Sequence, residues 1–488
     1  MLSIEEIKQF IDEDLSSEKK RLARIGNDYY EGKHEIKNYR LFYFDEDGQL
    51  QEDNTRSNTQ ISHPFFTELV DQAAQYMLSG DNYIFKSDLP ELQNKLDEYF
   101  NENENFMAEL LEVITGTKSK GFEYMYAYKD ENDKLAFECA DSMGVVEVRA
   151  KDTQDNCDYV IYWYIDRIEK GQKRIKRIQV WDKNQTHYYV DDGDGNIEKD
   201  ESVEINPRPH TIYNLNGKRY FENFGFIPFF RLDNNKKQFS DLTPIKDLID
   251  DYDLMNCGLS NNIQDANEYL VVVTGFKGND LSELMQNIKT KKRIGVGEGG
   301  DVNFKTVDIP YQARQTKMSL DEVNIYRFGM GFNSAQLGDG NITNVVIKSR
   351  YALLDLKCNK LEIRLKQFLR KILKIVLEEI NNNNGTDYQQ KDVYFDFKRE
   401  VITNEADNAS IAKIKADTKM VEINTLLNLK GALDDETIIQ NICEVLDIDF
   451  EEIKSKLPTP AEEEINAAMA ALTDNATLPT DTIPSGDA

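Results

Sequence analysis

Five cysteines in 488 residues, with no CxxC pair among them, leave little for redox or metal chemistry. Cys139, Cys157, Cys257, Cys358 and Cys443 lie far apart and are odd in number. That pattern points to a reducing compartment and away from a disulfide framework or a zinc site. Histidine is scarcer still. His34, His63, His187 and His210 are its four copies, and none neighbours another or a cysteine at ligand spacing. No apolar run approaches the ~18 residues of a membrane span; the best candidate, Tyr269 to Phe276, is strand-length. Met1 to Phe10 is mixed polar and acidic, unlike a signal peptide. The expectation is a soluble protein made in a cytoplasm, with no membrane partner. Basic residues are also short: 59 Lys and Arg stand against 88 Asp and Glu, for a net charge of −29. Such a chain is not made to coat itself with nucleic acid, because phosphate binding is dominated by Lys and Arg. The surplus acid serves solubility or repels DNA, and composition does not separate the two.

Reactive centres are missing as well. No GxxxxGK[ST] phosphate loop occurs. The run Gly295-Val-Gly-Glu-Gly-Gly300 lacks GxGxxG spacing and no helix pattern follows it, so it reads as a turn between strands. Asp191-Asp-Gly-Asp-Gly-Asn196 resembles a calcium loop, but counted from Asp192 the sixth position is Ile197 and not glycine. A hairpin turn is the better reading. Asp241, Asp247, Asp250 and Asp251 spread around a helix and read as a solvated face. His63, just before Pro64 at a helix start, reads as structural. The expectation is therefore no catalytic residue, no cofactor, no metal and no enzymatic activity; a nuclease built on the Asp clusters is the enzymatic rival, and it lacks a His- or Lys-supported carboxylate constellation.

What is present is length and periodicity. Residues 2–31 place Ile4, Ile7, Ile11, Leu15, Leu22 and Ile25 at helical spacing. Ile61 to Leu78 reads as a short strand entering a helix at Pro64 and stopping at Gly80. From about 120 to 232 the texture is β, a meander that includes Phe122 to Tyr128, Tyr159 to Ile165 and Ile175 to Trp181. Ser240 to about Asn267 reads as one helix with Ile245, Leu248, Ile249, Tyr252, Met255, Leu259 and Ile263 along its apolar stripe. About 26 residues make a rod of roughly 39 Å. Residues 268–311 read as a compact α/β insert with a helix from Leu281 to Lys289. Gln312 to Phe332 is a second long helix. Asn333 to Asn344 is a loop, and Val345 to Ile380 is a third helix of roughly 54 Å. Short helices follow over 400–456, and the tail from Pro458 has Pro, Thr, Ala and acid but no basic residue. No internal repeat is found. The fold class is α+β, built for assembly.

The approach to the first long helix carries a family likeness. Asn223-Phe-Gly-Phe-Ile-Pro228, Asn234-Asn235 and the stretch Ser240 to Asp253 are similar to the segment leading into the stem of portal proteins from siphophages of Gram-positive hosts. Ile61-Ser-His-Pro-Phe-Phe66 with Leu69, Val70, Asp71, Tyr76 and Gly80 resembles that family's N-terminal signature. Gly121 to Tyr128, Val180-Trp181-Asp182 and Tyr188-Tyr189 fall where its wing strands lie, and Asp308-Ile-Pro310 with Ile325 to Phe328 match its second stem helix. The likeness runs in order over roughly residues 20–380. It departs at Thr343-Asn344, where a Ser-Gly step is expected.

The resemblance implies one subunit of a dodecameric ring at a capsid vertex of the virion, assembled in the host cytoplasm, through which double-stranded DNA is packaged and ejected. Residues 1–239 become the wing, 240–267 stem helix one, 268–311 the clip, 312–332 stem helix two and 333–344 the tunnel loop. Residues 345–399 become the long wing helix with its following strand, 400–470 a helical crown and 471–488 a disordered tail. Terminase large subunit docks on the clip during packaging and a head-completion or adaptor protein replaces it; scaffolding and major capsid proteins contact the wing. Leu281, Leu284, Lys289, Lys291 and Lys292 become the clip's partner surface, unless the insert is a self-contained subdomain. Asn333, Gly338, Gly340, Asn341, Thr343 and Asn344 become the DNA-facing loop, with glycine freedom and neutral polar groups that touch phosphates weakly and without sequence preference. The third helix is the one basic feature, with Lys348, Arg350, Lys357, Lys360 and Arg364 leading a run that continues through Lys366, Arg370, Lys371 and Lys374. It faces DNA, an acidic neighbouring subunit, or solvent. The alternative reading of the whole is a capsid-associated adaptor or scaffold protein that never encloses DNA.

Overall fold

The computed structural model describes residues 1–45, 47–54, 56–80, 83–130, 134–149, 157–215, 218–265, 270–276, 283–284, 294–305, 310–333, 344–400, 405–430, 432–446, 448–450 and 452. Helix and sheet are mixed along the chain, as the α+β reading requires. The chain divides into two units. The first holds the elements before residue 340 and residues 348–401; the second holds residues 341–347 and everything after 401.

The N-terminal periodicity is two helices rather than one. α1 (Ile4–Leu15) opens on a capping box in which Ser3 and Glu6 serve each other's backbone N–H. Ser16 closes it with its hydroxyl on the Asp12 carbonyl at 2.9 Å, and the Ser17 hydroxyl accepts from the Lys20 N–H at 3.2 Å to start α2 (Glu18–Tyr30). Two adjacent serines thus supply both caps, a break that hydrophobic spacing alone does not register. α1 lays Ile7 and Ile11 on Val146, Ile161, Ile178, Val180 and Tyr189. Each fully buried branched side chain there is worth about 2 kcal/mol.

Those sheet residues belong to β6 (Val145–Arg149), β7 (Cys157–Glu169), β8 (Lys173–Trp181), β9 (Gln185–Asp191) and β10 (Ile197–Lys199). They pair antiparallel in the order β10-β9-β8-β7-β6. β9 and β10 make the hairpin expected at 191–197, Asp191 opposite Ile197. The Asp192 carboxylate accepts from the backbone N–H groups of Asp194 and Asn196 and from Asn196 Nδ2, so it is consumed by its own turn. A second sheet has the order β14-β4-β5, with β4 (Phe122–Lys129) between β5 (Leu135–Ala140) and β14 (Phe229–Asp233). Its core joins Phe122 and Tyr124 to Val160 and Trp181 of the first sheet and to Ala23 of α2.

Two helices organise the rest of this core. Residues 61–64 form no strand, so the short strand expected there is absent; α3 (Phe65–Met77) follows directly. α5 (Glu104–Lys120) ends on Gly121 at φ +95°, where a side chain would also meet the Gln238 carbonyl oxygen at 2.2 Å. Around the start of α5, Phe85, Phe100, Phe106 and Phe137 form a chain of ring contacts that also reaches Phe395.

α6 (Lys246–Asp265) starts six residues later than the periodicity suggested. Residues 241–245 are turns, with the Thr243 N–H on the Ser240 carbonyl and the Ile245 N–H on the Leu242 carbonyl, and the Asp241 N–H donates to the Lys118 carbonyl, which ties this stretch to α5. α7 (Tyr311–Phe328) stops at Gly329, and Met330 follows at φ +55°. α8 (Asn344–Asn384) runs 41 residues, a rod of about 62 Å. In the second unit, α9 (Glu405–Asn428) and α10 (Asp435–Leu446) occupy the region read as helical.

Candidate functional site

α6 and α7 are packed side by side. Leu242, Ile245 and Ile249, from the start of α6 and the turns before it, share one buried core with Ile325 and Tyr326 from the end of α7. The pair is therefore antiparallel. Phe66, Leu69 and Val70 of α3 and Tyr29 of α2 close that core from below. Higher up, the Lys317 ammonium on α7 bridges Asp251 on α6 and Asp321 on its own helix. Between the two helices lies a two-stranded ribbon, β15 (Leu270–Phe276) against β16 (Val296–Lys305), with Leu270 opposite Lys305 and a bulge between Thr274 and Phe276. Gly297, Gly299 and Gly300 thus lie within a strand, where a turn was expected, and Gly295 precedes it. Leu254, Leu320 and Val323 leave apolar surface on the helix pair, each more than a third exposed.

Polar pins fasten α6 to the N-terminal region. The Asp253 carboxylate is fully buried and takes Nδ1 of His34 at 2.6 Å and Nδ1 of His63 at 2.7 Å, together with the His63 backbone N–H at 3.0 Å. His34 stacks on Tyr29 with ring centroids 4.5 Å apart. Burial would raise the Asp253 carboxyl, but the hydrogen bonds from His34 and His63 outweigh it and hold the group below the usual carboxylate range. The Tyr29 hydroxyl donates to Asp250, and burial followed by that carboxylate pushes the phenol well up. Farther along α6, the Asn261 side chain accepts from the Thr59 N–H at 2.7 Å. The reading of the aspartates as a solvated face is thereby corrected. Asp247 is exposed, while Asp250 and Asp251 are engaged and Asp241 is mostly buried between lysines. His63 is structural as expected. The convergence of His34 and His63 on Asp253 was not visible, because the three are separated by 29 and 190 positions and share no motif.

The start of the expected DNA-facing loop is pinned. Gln72 of α3 donates to the Phe332 carbonyl at 2.9 Å and accepts from its N–H, and the Asn333 side chain donates to Glu322. Gly338, Gly340, Asn341 and Thr343 lie outside the described residues, and Asn344 opens α8. On α8, Lys348 and Lys360 are exposed and Arg364 is half-buried; the Arg350 side chain lies outside the described residues. Lys357 does not belong to an open basic face. It is 7 % exposed, with Nζ 2.9 Å from the Gly329 carbonyl and 3.0 Å from Asp241. The reason is helical phase: it sits with Leu354, Cys358 and Leu361 on the core side. Among the residues given to the clip's partner surface, Leu284 is buried and so does not face outward, while Leu281, Lys289, Lys291 and Lys292 lie outside the described residues.

Among the described residues there is no group of three or more His, Cys, Asp or Glu side chains placed to hold a metal ion, and no helix long and apolar enough to cross a membrane. What the arrangement offers is a braced antiparallel helix pair carrying a ribbon.

The family model described as phage portal protein, SPP1 Gp6-like, matches residues 8–457. The chain belongs to the phage portal protein family. The portal protein of Bacillus phage SPP1 is 28% identical over 385 residues, covering 78% of this chain and 74% of that protein. The portal protein of Clostridium phage phiCD119 is 24% identical over 427 residues, covering 84% of this chain and 89% of its own length. The portal resemblance read from the approach to α6 is thus established over a longer stretch than the residues that first suggested it. The mixed helix and sheet content agrees with a portal-type α+β subunit.

Proposed function

We propose that this chain is the repeated subunit of a ring at one vertex of a phage capsid, through which double-stranded DNA is packaged and later ejected. The observation that carries the reading is the braced α6–α7 pair in a chain matched by the portal family over residues 8–457. An antiparallel pair fixed at its base and carrying a ribbon at its far end is a suitable stave for a tube wall. In this reading residues 240–267 and 312–332 are the stem, 268–311 the clip, 333–344 the tunnel loop, 1–239 and 345–399 the wing, and 400–470 the crown. The ring is dodecameric in the virion. The role is structural and not enzymatic.

Terminase would dock on the clip while DNA enters, and a head-completion protein would take its place afterwards; scaffolding and major capsid proteins would meet the wing. Assembly would take place in the host cytoplasm. A net charge of −29 favours passage over retention, since a conduit lined with lysine would hold the duplex by counterion release. Negative-stain electron microscopy of the purified chain, alone and with procapsid components, tests the proposal. Rings with a central hole support it. A chain that stays monomeric in both conditions refutes it and favours an adaptor or scaffold.

A further inference from the structure

We infer that the cleft between α5, the turns before α6, the end of α7 and α8 is a binding site for a phosphate-class oxyanion. The cleft has a volume of about 330 Å³ and is lined by Lys118, Asn234, Ser240, Thr243, Lys357 and Lys360, with Asp241 and the Gly329–Met330 turn among its walls. That is space for about ten waters, and its lining is polar enough to hold them or an anion.

Charge is unbalanced at close range in this cleft. Lys118 is 2 % exposed and Lys357 is 7 % exposed, and both point at one carboxylate, Asp241. Asp241 stands 3.0 Å from Lys357 and 3.3 Å from Lys118, and its other oxygen accepts from Asn234 Nδ2 at 2.8 Å. Two buried cations against one anion leave a positive excess, and exposed Lys360 adds a third cation at the rim. The neighbouring buried lysines show what a satisfied site looks like in this chain. Lys20 has Asp14 at 2.9 Å, the Val145 carbonyl at 2.8 Å and the Ser142 carbonyl. Lys120 has Asp141 at 2.7 Å and Glu123. Lys118 carries three N–H donors, and among the described residues its sole ion-pair partner is the shared Asp241.

An uncompensated buried ammonium costs several kcal/mol, so proteins pair it or fill the space with an anion. The electrostatics agree with the geometry. Burial, with Lys118 adding to it, pulls the Lys357 ammonium below its ordinary range against the attraction of Asp241, and the two lysines drive the Asp241 carboxyl far down although burial alone would raise it. An oxyanion in the cleft would take the spare donors of Lys118, Lys357 and Lys360 and the hydroxyls of Ser240 and Thr243. It would also fasten the Gly329–Met330 turn, since Lys357 already holds that turn's carbonyl. The oxyanion is an inorganic phosphate or a phosphate of the nucleic-acid backbone; the recognition chemistry is the same.

The test is isothermal titration of the full chain with inorganic phosphate at fixed ionic strength, against chloride as control. Wild type should bind saturably at one site per chain. Lys118→Met should lose at least about tenfold in affinity, the equivalent of one charge-assisted contact. If Lys118→Met does not fold, Lys360→Ala, on the exposed rim, carries the test and should lose about threefold. Heat-denaturation midpoints of the same proteins separate this from the general stabilising action of phosphate, which both variants retain. A short DNA duplex is then titrated as competitor: displacement of phosphate identifies the backbone as the source, and no displacement identifies the free ion. Absence of saturable phosphate binding in wild type, or equal affinity in wild type and variants, overturns the inference.

Discussion

His34 places Nδ1 2.6 Å from Oδ2 of Asp253, and neither side chain reaches solvent. On the other side of the ring, Nε2 lies 3.3 Å from the Tyr29 carbonyl. Both ring nitrogens therefore lie against oxygen atoms, and the ring is held from two sides. Asp253→Ala leaves Nδ1 of His34 buried without its partner and removes the partner of His63 as well. A loss of about 3–5 kcal/mol follows, the usual cost of breaking a buried pair. Because the Asp253 carboxyl is depressed in the folded chain, its contribution is complete above the unfolded carboxylate pKa of about 3.9 and is lost as pH falls through the lower folded value. Urea midpoints measured from neutral to acid pH should fall in wild type over that acid window. The same fall in Asp253→Ala would show that this carboxylate is not its source.

Lys19 gives a second pH effect of opposite placement. Its ammonium sits over the Phe122 ring at 3.8 Å and is pulled down to about 8, by burial first and then by Arg231. A depressed lysine is bound to more protons in the unfolded chain between about 8 and its ordinary 10.4, so stability rises with pH across that window. Lys19→Met should stabilise the chain at pH 7 by roughly 1–2 kcal/mol, the relief of desolvation less the forfeited attraction between ammonium and ring. Above pH 10 the gain should vanish. Denaturant midpoints of the two proteins at neutral and alkaline pH decide it, and a gain that persists at high pH would refute the assignment.

Gly26 tests the packing of α2 on α5. A methyl at this position would stand 2.0 Å from the Ser119 carbonyl oxygen, a backbone atom that cannot swing away. Gly26→Ala should cost at least about 2–3 kcal/mol through forced separation of the helices. Gly295→Ala, where nothing lies within 4 Å of the added carbon, should be close to neutral and serves as control. Thermal denaturation separates the two; a Gly26→Ala protein as stable as the control would mean that the helices part cheaply.

Much of this architecture was written locally. The period of Ile7 and Ile11, the aromatic alternation of Phe122 to Tyr128 and the stripe through Ile245 and Ile249 each place an element, since they describe one face of a helix or strand. The hairpin at Asp191 to Asn196 was equally legible, because its turn chemistry is contained in six residues. What was not legible depends on distant partners. Ser16 and Ser17 split a helix whose hydrophobic spacing runs through them. Residues 241–245 form turns tied to α5 through the Asp241 N–H on the Lys118 carbonyl, over a separation of 123 positions. Lys357 has the composition of a surface residue and the phase of a core one, and phase loses to charge when a basic run is read as a face. The pairing of His34 with Asp253 spans 219 positions and has no local trace.

The outward stripe of α8 bears on how subunits meet. Leu356 and Ile363 are 58 % and 65 % exposed, and Lys360, Arg370, Lys371 and Lys374 are exposed along the same helix. The opposite face, from Leu361 through Leu365, Phe368 and Ile372, is spent on the chain's own core. In a chain of net charge −29, a basic stripe interrupted by apolar residues matches the acidic surface of a second copy better than it matches a duplex that must slide. Lys371→Glu combined with Lys374→Glu should leave the stability of the single chain within about 0.5 kcal/mol, since both are surface positions. It should nevertheless lower the fraction of rings seen by sedimentation velocity, most at low salt, where screening is weakest. Assembled wild-type rings should at the same time retain no linear duplex at low salt. If the double variant assembles normally while wild-type rings grip DNA and the variant's do not, the stripe contacts nucleic acid and subunit pairing must be sought on the half-exposed Leu320 and Val323 of α7 instead.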